Sequence, residues 1–251
     1  MKNILLIGLG NVGKHLAVNL CKLADIQLTV STRSIEKAKE FSNQNACKHL
    51  ETLENCPAFD LALICVKDDV IPGVISALPN LIPVAYTSGA VALETITRQN
   101  KGVFYPLQTF HKERAIDFSE IPLFIEADNP LLEQTLLALG NRLSKNTQIA
   151  GSSYRQKLHV AAVFANNFTN FMLAQSADYL ESENIPFSHL FPLLERTIEN
   201  AKKEHPENLQ TGPALRGDIQ TMQTHEGLLS QEQRELYAFL SKAIKKYYDK
   251  L

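Results

Sequence analysis

Short apolar runs alternate with amphipathic segments over the first part of the chain, up to about residue 150. Six of these runs are rich in β-branched, leucine or aromatic residues, which predicts β-strands. The predicted strands span residues 3–7, 27–31, 61–66, 84–88, 102–105 and 123–126. Because segments with helical periodicity separate several of them, the pattern indicates a parallel sheet covered by crossover helices, an α/β fold.

The strand pattern stops after Gly151, where long segments rich in Ala, Leu, Glu and Lys begin. Their periodicity predicts helices over 153–183, 188–203, a segment after Pro213, and 231–248. We therefore expect two domains, an α/β domain over 1–150 and an all-α domain over 151–251.

The composition narrows the class of protein. The 251 residues are 45% hydrophobic and 21% charged, which excludes disordered and collagen-like chains. Lys and Arg number 25 against 27 Asp and Glu, so no overall electrostatic field attracts nucleic acid or an acidic membrane surface.

No apolar run approaches the roughly 18 residues that suggest a membrane span. The four cysteines lack metal-ligand spacing. We expect a soluble cytoplasmic protein with reduced thiols, no metal site and a small-molecule partner.

A glycine fingerprint follows the first predicted strand. The chain reads Gly8-Leu-Gly10-Asn-Val-Gly13 and then opens an amphipathic helix, which is the context that a dinucleotide-binding loop requires. Gly8 permits the tight turn, Gly10 lets the backbone approach a pyrophosphate, and Gly13 allows close packing of helix on strand. Amides at the helix N-terminus then face the phosphate charge. The motif predicts a Rossmann NAD(P)-binding domain, with Gly8, Gly10, Asn11, Val12 and Gly13 at the cofactor.

The end of the second predicted strand indicates which dinucleotide binds. Enzymes that use NAD usually carry Asp or Glu there for the ribose 2′-hydroxyl, whereas this chain reads Ser31-Thr32-Arg33-Ser34. An arginine among small hydroxyls suits a 2′-phosphate through charge-assisted hydrogen bonds, so we expect these four residues to bind NADP rather than NAD. The alternative is a solvated Arg33 followed by Ser34 as a helix cap, and Ser34 is able to serve both roles.

Three more predicted strands end in loops that an open α/β sheet directs to its ligand-binding edge. At the first of these ends, Asp68 or Asp69 is alternatively a helix N-cap. The residues placed at this edge are Val66, Lys67 and Thr87 for the cofactor, and Ser88 and Gln108 for the substrate.

The long predicted helix after Gly151 carries a polar stripe. At about 100° per residue, one narrow arc holds Ser152, Arg155, His159, Asn166 and Asn170. An imidazole titrates near neutral pH and suits a general acid for the proton that accompanies hydride transfer. His159 is therefore the candidate catalytic residue, with Asn166 in the substrate pocket. The alternative is a core histidine bonded across helices. Lys157 points about 160° away in an ideal helix and ranks below His159.

The segment 211–218, Thr-Gly-Pro-Ala-Leu-Arg-Gly-Asp, reads as a helix start with proline at the first helical position. Two continuations are open. Either Gly217 ends the turn and Asp218 caps the next helix, or the helix continues and aligns Asp218 with Thr221 and His225 on one face.

Either continuation concentrates polar side chains in this segment. Arg216 suits bidentate binding of a substrate carboxylate, with a structural Arg216 to Asp218 pair or a dimer contact as the alternatives. We expect Thr211, Arg216 and Asp218 to shape the substrate pocket.

Six motifs together resemble a known family. They are Gly8 to Gly13, Ile64-Cys-Val-Lys67-Asp68, Thr87-Ser-Gly89, Tyr105-Pro-Leu-Gln-Thr-Phe110, His159-Val-Ala-Ala-Val-Phe-Ala-Asn166-Asn167, and Thr211 to Asp218. They resemble the Rossmann-like proteins with a DUF2520 C-terminal domain. The resemblance implies an NADP oxidoreductase similar to pyrroline-5-carboxylate reductase and the 6-phosphogluconate dehydrogenase superfamily. It also implies a helical second domain of the 6-phosphogluconate dehydrogenase C-terminal type, an active cleft between domains, and a homodimer through the helices.

One departure concerns hydroxyacid chemistry. Hydroxyacid dehydrogenases of that superfamily use a lysine and an asparagine near the start of the interdomain helix. Gly151 and Lys157 look similar here, but Val160 and Ala161 stand where the asparagine is expected. This departure argues against hydroxyacid chemistry.

The sequence thus predicts an NADP-dependent oxidoreductase that reduces a small C=O or C=N substrate at the cleft between domains, with His159 as the proton donor. Two alternatives keep the same fold. One is an NADP(H)-binding sensor or regulatory protein without turnover, and the other is a reductase that pairs NADP with a deazaflavin.

Overall fold

An eight-stranded sheet organises the first part of the chain in the computed structural model, which describes residues 2–54, 56–111, 114 and 116–250. The strands are β1 Asn3–Ile7, β2 Gln27–Ser31, β3 Lys48–His49, β4 Leu61–Ile64, β5 Val84–Tyr86, β6 Lys101–Pro106, β7 Leu123–Ala127 and β8 Thr147–Ile149. Their order in the sheet is β3-β2-β1-β4-β5-β6-β7-β8. The predicted α/β fold is confirmed, and β3 and β8 are added to the six predicted strands.

Helices alternate with these strands and then continue alone. They are α1 Asn11–Cys21, α2 Ile35–Gln44, α3 Ile71–Ser76, α4 Pro130–Leu143, α5 Ser152–Ala162, α6 Thr169–Ser182, α7 Phe191–Ala201, α8 Pro213–Arg216, α9 Ile219–Leu228 and α10 Gln231–Tyr248. A π-helical run over Val163–Phe168 separates α5 from α6. No described helix is both long and apolar enough to cross a membrane.

The sheet is parallel except at one junction. β6 and β7 pair antiparallel, with Phe104 opposite Ile125, and β8 is parallel to β7. The sequence predicted a parallel sheet, which is confirmed for six of the seven described strand pairs and wrong for the pair of β6 and β7. A parallel connection usually crosses over through a helix. The described part of the segment that joins β6 to β7 holds only a short 3₁₀ turn over Phe118–Glu120, so the chain returns without crossing over.

Side chains of the central strands are buried on both faces of the sheet. In β1, Ile4 and Leu6 join the apolar cluster under α1, α2 and α4, whereas Leu5 and Ile7 join the cluster on the opposite face, which includes residues of α3. Successive side chains of a strand point to opposite faces. A strand covered on both faces therefore reads as a continuous apolar run. Burial of each such side chain contributes about 1.5–3 kcal/mol, which holds the carboxyl ends of β1, β4 and β5 in fixed positions.

The chain divides into two compact units, 1–163 and 164–251. The second unit is helical, and Ala214 is its one buried residue within the described part of the chain. The domain boundary near Gly151 stays a prediction. Met1 and Leu251, at the ends of the predicted domain ranges, lie outside the described residues.

Candidate active site at the carboxyl ends of the strands

The glycine loop after β1 depends on two close backbone approaches. Gly8 has φ +100°, and a Cβ on it would lie 2.4 Å from the carbonyl oxygen of Cys65. A Cβ on Gly13 would lie 1.9 Å from the carbonyl oxygen of Gly8. The Gly8 amide also donates to the carbonyl of Ser31 at 2.8 Å. These approaches show why the loop needs glycine at both positions.

Gly10 differs from these two glycines because it faces open space. It has φ −72° at the N-cap of α1, and no atom of the residues that the structure describes lies within 4 Å of the place where its Cβ would be. Among the described residues no side chain caps the helix, so the first amides of α1, at Asn11, Val12 and Gly13, have no side-chain partner there. Backbone amides without partners at a helix N-terminus favour an anion. The loop therefore fits a dinucleotide pyrophosphate.

The loop after β2 carries the residues predicted to select NADP. Ser34 caps α2, because its Oγ accepts from the Lys37 amide at 3.3 Å, and the same hydroxyl donates to Glu36 Oε2 at 2.9 Å. The capping role of Ser34 is confirmed. Arg33 is exposed, and no side chain in the described part of the chain pairs with its guanidinium. With the Ser34 hydroxyl engaged, Arg33 and Thr32 are the groups free to meet a 2′-phosphate.

The ends of β4 and β5 continue this edge of the sheet. The Cys65 amide donates to the Ile7 carbonyl at 2.7 Å, and the Thr87 amide donates to the Ile64 carbonyl at 3.1 Å. Val66 and Lys67 follow directly, the former half-buried and the latter exposed. The structure therefore brings the predicted cofactor residues at the ends of β1, β4 and β5 into one continuous edge.

Asp68 and Asp69 do not cap a helix. They open a short 3₁₀ turn over Asp68–Val70 whose N-cap is Lys67, and no side chain caps this turn. The sequence left open an N-cap by either aspartate, and that alternative is wrong. Both aspartates are exposed.

Ser88 holds the loop after β5 in shape. Its side chain is buried, and its Oγ accepts from the amides of Ala90 at 3.1 Å and Val91 at 3.0 Å. Gln108 lies exposed in the loop after β6, where its Oε1 accepts from the Thr109 amide at 2.8 Å. Both residues lie in loops at the carboxyl ends of parallel strands, as predicted. Their roles in substrate binding stay predictions.

A buried arginine side chain connects α5 to the loop after β5. The Arg155 side chain is fully buried and pairs with Glu126 through Nη1. Its Nε donates to the Ser88 carbonyl at 3.1 Å and its Nη2 to the Val91 carbonyl at 2.6 Å. Ser152 completes the cluster, because its amide and hydroxyl both donate to Glu126, at 2.9 Å and 2.8 Å. Two residues of the predicted polar stripe, Ser152 and Arg155, thus anchor the helix.

One helical turn further along α5, His159 contacts a tyrosine that the sequence analysis quoted in a motif but did not assign to the site. His159 Nδ1 lies 3.0 Å from the hydroxyl of Tyr105, at the end of β6, and their rings meet edge to face at 6.1 Å. Burial raises the pKa of Tyr105 above its usual value. The position of Tyr105 near the carboxyl end of a predicted strand was the available signal, but its partner lies 54 residues away in the chain.

Gly89 lies close to both the Tyr105 and the His159 side chains. A Cβ on Gly89 would stand 2.8 Å from the Tyr105 hydroxyl oxygen and 2.9 Å from His159 Nδ1. The imidazole therefore approaches bare backbone in the loop after β5, at the same edge of the sheet as the glycine loop. His159 is partly buried, and its hydrogen bond joins it to a strand of the sheet. The alternative prediction, a core histidine that is hydrogen-bonded to another helix, is therefore wrong, because the partner of His159 lies on a strand.

The predicted segment 211–218 lies in the second unit. Gly217, with φ +67°, ends α8, and Asp218 caps α9 by accepting from the Thr221 amide at 3.1 Å and from its hydroxyl at 2.7 Å. The first of the two continuations is therefore confirmed. The hydrogen bonds from Thr221, followed by weaker contributions that include the charge of Arg216, hold the pKa of Asp218 below its usual value.

Arg216 has no ion-pair partner within 4.0 Å in the described chain, so the predicted Arg216 to Asp218 pair is not formed. Arg216 and Thr211 are both exposed. His225 Nδ1 lies 2.9 Å from the hydroxyl of Tyr237.

The polar stripe does not extend along one continuous α-helix. The predicted helix over 153–183 is interrupted by the π-helical run Val163–Phe168, which contains Asn166. A π-helix bonds residue i to i+5, so spacing at about 100° per residue does not carry through to Asn166 and Asn170. Asn166 is exposed and belongs to the second unit, as does Asn170. The helical arc predicted for these two asparagines is therefore wrong.

Two family descriptions match the sequence. Residues 3–99 match the NAD binding domain of 6-phosphogluconate dehydrogenase, and residues 121–244 match the domain of unknown function DUF2520. The search of curated proteins found no match.

Solved structures are similar over nearly the whole chain. The crystal structure of a putative NADP oxidoreductase from Bacteroides fragilis is 32% identical to this chain with a TM-score of 0.88, and the similarity covers 98% of both chains. An imine reductase from Myxococcus stipitatus in complex with NADP+ is 17% identical with a TM-score of 0.71, over 97% of this chain and 92% of that one. A reductive aminase from Aspergillus terreus, in complex with NADPH and ethyl-5-oxohexanoate, is 14% identical with a TM-score of 0.71, over 100% and 94%. The last two likenesses show the fold alone.

Proposed function

We propose that this chain, which belongs to the family that joins an NAD binding domain of the 6-phosphogluconate dehydrogenase type to a DUF2520 domain, is an NADP-dependent oxidoreductase. Its proposed substrate is a small molecule with a C=O or C=N bond, which it reduces. One observation carries the proposal. The glycine loop and the imidazole of His159 lie at the same edge of the sheet, joined through the ends of β4 and β5. NADPH supplies a hydride when bound, and the chain supplies binding, orientation and a proton.

The cofactor is held by the loops after β1, β2, β4 and β5. The amides that open α1 face the pyrophosphate, since Gly10 leaves that side of the loop open. The guanidinium of Arg33, with which no described side chain pairs, binds the 2′-phosphate together with Thr32. Val66, Lys67 and Thr87 border the far ribose and the nicotinamide. The solved relatives support this choice, because they include a putative NADP oxidoreductase and complexes with NADP+ and NADPH.

His159 donates the proton in this proposal. Hydride transfer to C=O or C=N leaves negative charge on the substrate oxygen or nitrogen, and a positioned acid that neutralises this charge typically contributes 10²- to 10⁴-fold to the rate. His159 is placed for that role by a helix that Arg155 anchors to the loop after β5. Ser88, Gln108, Asn166, Thr211, Arg216 and Asp218 are the residues proposed to shape the substrate pocket.

We further propose that the enzyme is a cytoplasmic homodimer formed through the second unit. The four cysteines are free thiols. The second unit exposes many large apolar side chains, among them Phe164, Phe168, Phe191, Leu193, Ile198 and Phe239. A unit with a single buried residue in its described part cannot bury enough apolar area on its own. Exposed apolar surface of this extent is typical of a permanent interface, and a second copy supplies the same helices to cover it.

Oxidation of NADPH in the presence of a panel of carbonyl and imine compounds tests this function. We expect turnover with at least one member of the panel. His159→Gln is expected to lower kcat by about 100-fold with little change in NADPH affinity. The matched control is His189→Gln, a substitution of an exposed histidine in the second unit.

Two results would contradict the proposal. Tight NADPH binding without turnover across the panel would favour a sensor or regulatory protein. Turnover that requires an added deazaflavin would indicate a reductase that passes electrons between the two cofactors.

A third outcome concerns His159 alone. Equal kcat values for His159→Gln and wild type would show that His159 does not donate the proton, while the proposed reductase activity would stand.

A further inference from the structure

We propose that Tyr105 is the positioning residue for His159, holding Nδ1 of the imidazole so that Nε2 is the atom that carries the proton to the substrate. This inference rests on the proposed function, because it assigns a partner to the proposed proton donor. It concerns Tyr105, a residue to which the sequence analysis assigned no role in the site.

The hydrogen bond joins two side chains on well-fixed elements. Tyr105 is 8% exposed and its ring packs against Phe124 of β7, with centroids 6.3 Å apart, so the strand fixes the place of its hydroxyl. His159 follows Arg155 by one turn of α5, and the buried ion pair of Arg155 prevents that helix from sliding. The separation of 3.0 Å between the Tyr105 hydroxyl and His159 Nδ1 is therefore set by the two elements rather than by mobile side chains.

Gly89 leaves room for the pair. Any side chain there would begin 2.6 Å from the Tyr105 ring and 2.9 Å from His159 Nδ1, closer than carbon atoms approach one another without displacement. Gly89 has no positive φ that would call for glycine. The space occupied by the two side chains therefore explains the glycine at this position.

A neutral phenol is suited to this position because it both donates and accepts hydrogen bonds. Burial raises the pKa of Tyr105, so the hydroxyl keeps its proton at neutral pH. The hydroxyl accepts from Nδ1–H in the imidazolium and in the neutral ring that remains after Nε2 has given up its proton, and it donates to Nδ1 only in the neutral tautomer that carries its proton on Nε2. A carboxylate would only accept, and its charge would hold the ring protonated. Tyr105 thus fixes the orientation of the imidazole without trapping its proton.

The proton balance follows from this geometry. In the imidazolium, Nδ1–H donates to Tyr105 and Nε2–H faces the substrate. As the hydride adds to the substrate carbon, the Nε2–H bond breaks and a bond from that proton to the substrate oxygen or nitrogen forms. The ring becomes neutral while Nδ1 keeps its proton, and Nε2 is reprotonated from solvent. The imidazole side of this cycle requires no group besides His159 and Tyr105.

Two measurements on Tyr105→Phe test the proposal. In protein labelled with ¹⁵N-histidine, and with the His159 signals assigned through His159→Gln, we expect the loss of the hydroxyl to move the Nδ1 resonance of the neutral ring. We also expect kcat to fall about 10-fold with an unchanged Kd for NADPH. In the His159→Gln background the same substitution should cause no further loss of kcat, because Tyr105 acts through the imidazole.

The matched control is Tyr154→Phe, which makes the same change to an exposed tyrosine of the same helix and should leave both readouts at their wild-type values. Gly89→Ala is a second route to the same defect, since it displaces the pair while keeping both side chains. We expect it to lower kcat at least as much as Tyr105→Phe, with the glycine loop still binding NADPH.

An Nδ1 resonance unaffected by Tyr105→Phe would overturn the proposal. So would an equal loss of kcat from Tyr105→Phe in the wild-type and His159→Gln backgrounds, which would indicate a purely structural tyrosine. Absence of turnover would count against the proposed function, whereas the NMR measurement decides independently whether Tyr105 holds Nδ1.

Discussion

The guanidinium of Arg155 forms a buried ion pair with Glu126. The Arg155 side chain is 0% exposed and the Glu126 side chain is 14% exposed. Its other donors reach backbone carbonyls of the loop after β5. Because both charges are paired and hydrogen-bonded, the cluster joins α5 to the sheet without leaving a buried charge unsatisfied.

Removing the arginine should therefore destabilise the protein. We expect Arg155→Met to lower the free energy of unfolding by about 3–5 kcal/mol, because it leaves Glu126 with an uncompensated, mostly buried charge. Urea denaturation followed by circular dichroism measures the change. The control is Arg142→Met, which breaks an ion pair with Asp25 whose side chains are 37% and 57% exposed, and should cost less than about 1 kcal/mol. Equal losses from the two variants would show that the buried pair does not anchor α5.

The open side of the glycine loop gives a second prediction. Gly10→Ala should fold normally, because no atom of the described chain lies within 4 Å of the added Cβ. It should nevertheless weaken NADPH binding about 10-fold or more by holding the pyrophosphate away from the backbone. Calorimetric titration gives the Kd. Gly73→Ala is the control, since its Cβ also meets open space but lies in α3. An unchanged Kd for Gly10→Ala would mean that phosphate does not approach this loop.

Arg33 should determine the choice between the two dinucleotides. We expect Arg33→Ala to raise the Kd for NADPH by about 10- to 100-fold, the size of a charged hydrogen-bond contribution of roughly 1.5–3 kcal/mol, with little change for NADH. Arg196→Ala, at another exposed arginine, should leave both affinities alone. If Arg33→Ala weakened the two cofactors equally, the assignment of the 2′-phosphate to Arg33 would be wrong.

Asp60 should make stability depend on pH in the acid range. Its Oδ2 accepts from the backbone amides of Lys2 at 2.6 Å and Asn3 at 3.0 Å, and these hydrogen bonds hold the pKa of Asp60 below its usual value. Because the folded pKa is lower than the unfolded one, the carboxylate contributes stability above the unfolded pKa of about 3.9. That contribution is lost as the pH falls through the folded pKa.

The variant that tests this linkage is Asp60→Asn, which removes the charge and keeps the shape. We expect it to cost roughly 0.5–1 kcal/mol at pH 7, a value reduced by the solvent exposure of the site. The difference from wild type should shrink once both side chains are neutral in acid. Urea denaturation at pH 7 and at successive acid pH values measures it, and a difference that stays constant over this range would contradict the linkage.

The exposed helices of the second unit give a prediction about oligomeric state. Light scattering should report a dimer, and Phe239→Glu should shift it towards monomer by placing a charge on a ring that is 69% exposed in the single chain. Leu81→Glu is the control, because Leu81 is 92% exposed in the first unit and should leave the mass unchanged. A monomeric wild-type protein would contradict the proposed dimer.

The local sequence pattern was sufficient to predict many of the loops, caps and helices of this protein. The glycine loop, the Ser34 cap, the Asp218 cap and the span of α10 follow from residues that are neighbours in sequence, since turns, caps and helical periodicity are set over a few residues. The short strands β3 and β8 were not predicted because they are only two and three residues long and, unlike the apolar β5, they carry polar residues without an apolar run.

The α/β fold, the dinucleotide loop and the arginine in place of an acidic residue can therefore be predicted from local sequence. The antiparallel pairing of β7, the ion pair between Arg155 and Glu126, and the hydrogen bond between Tyr105 and His159 depend on tertiary packing. Each of these joins segments that are distant in the chain. Their geometry depends on how the core packs as a whole, which periodicity along one segment does not contain.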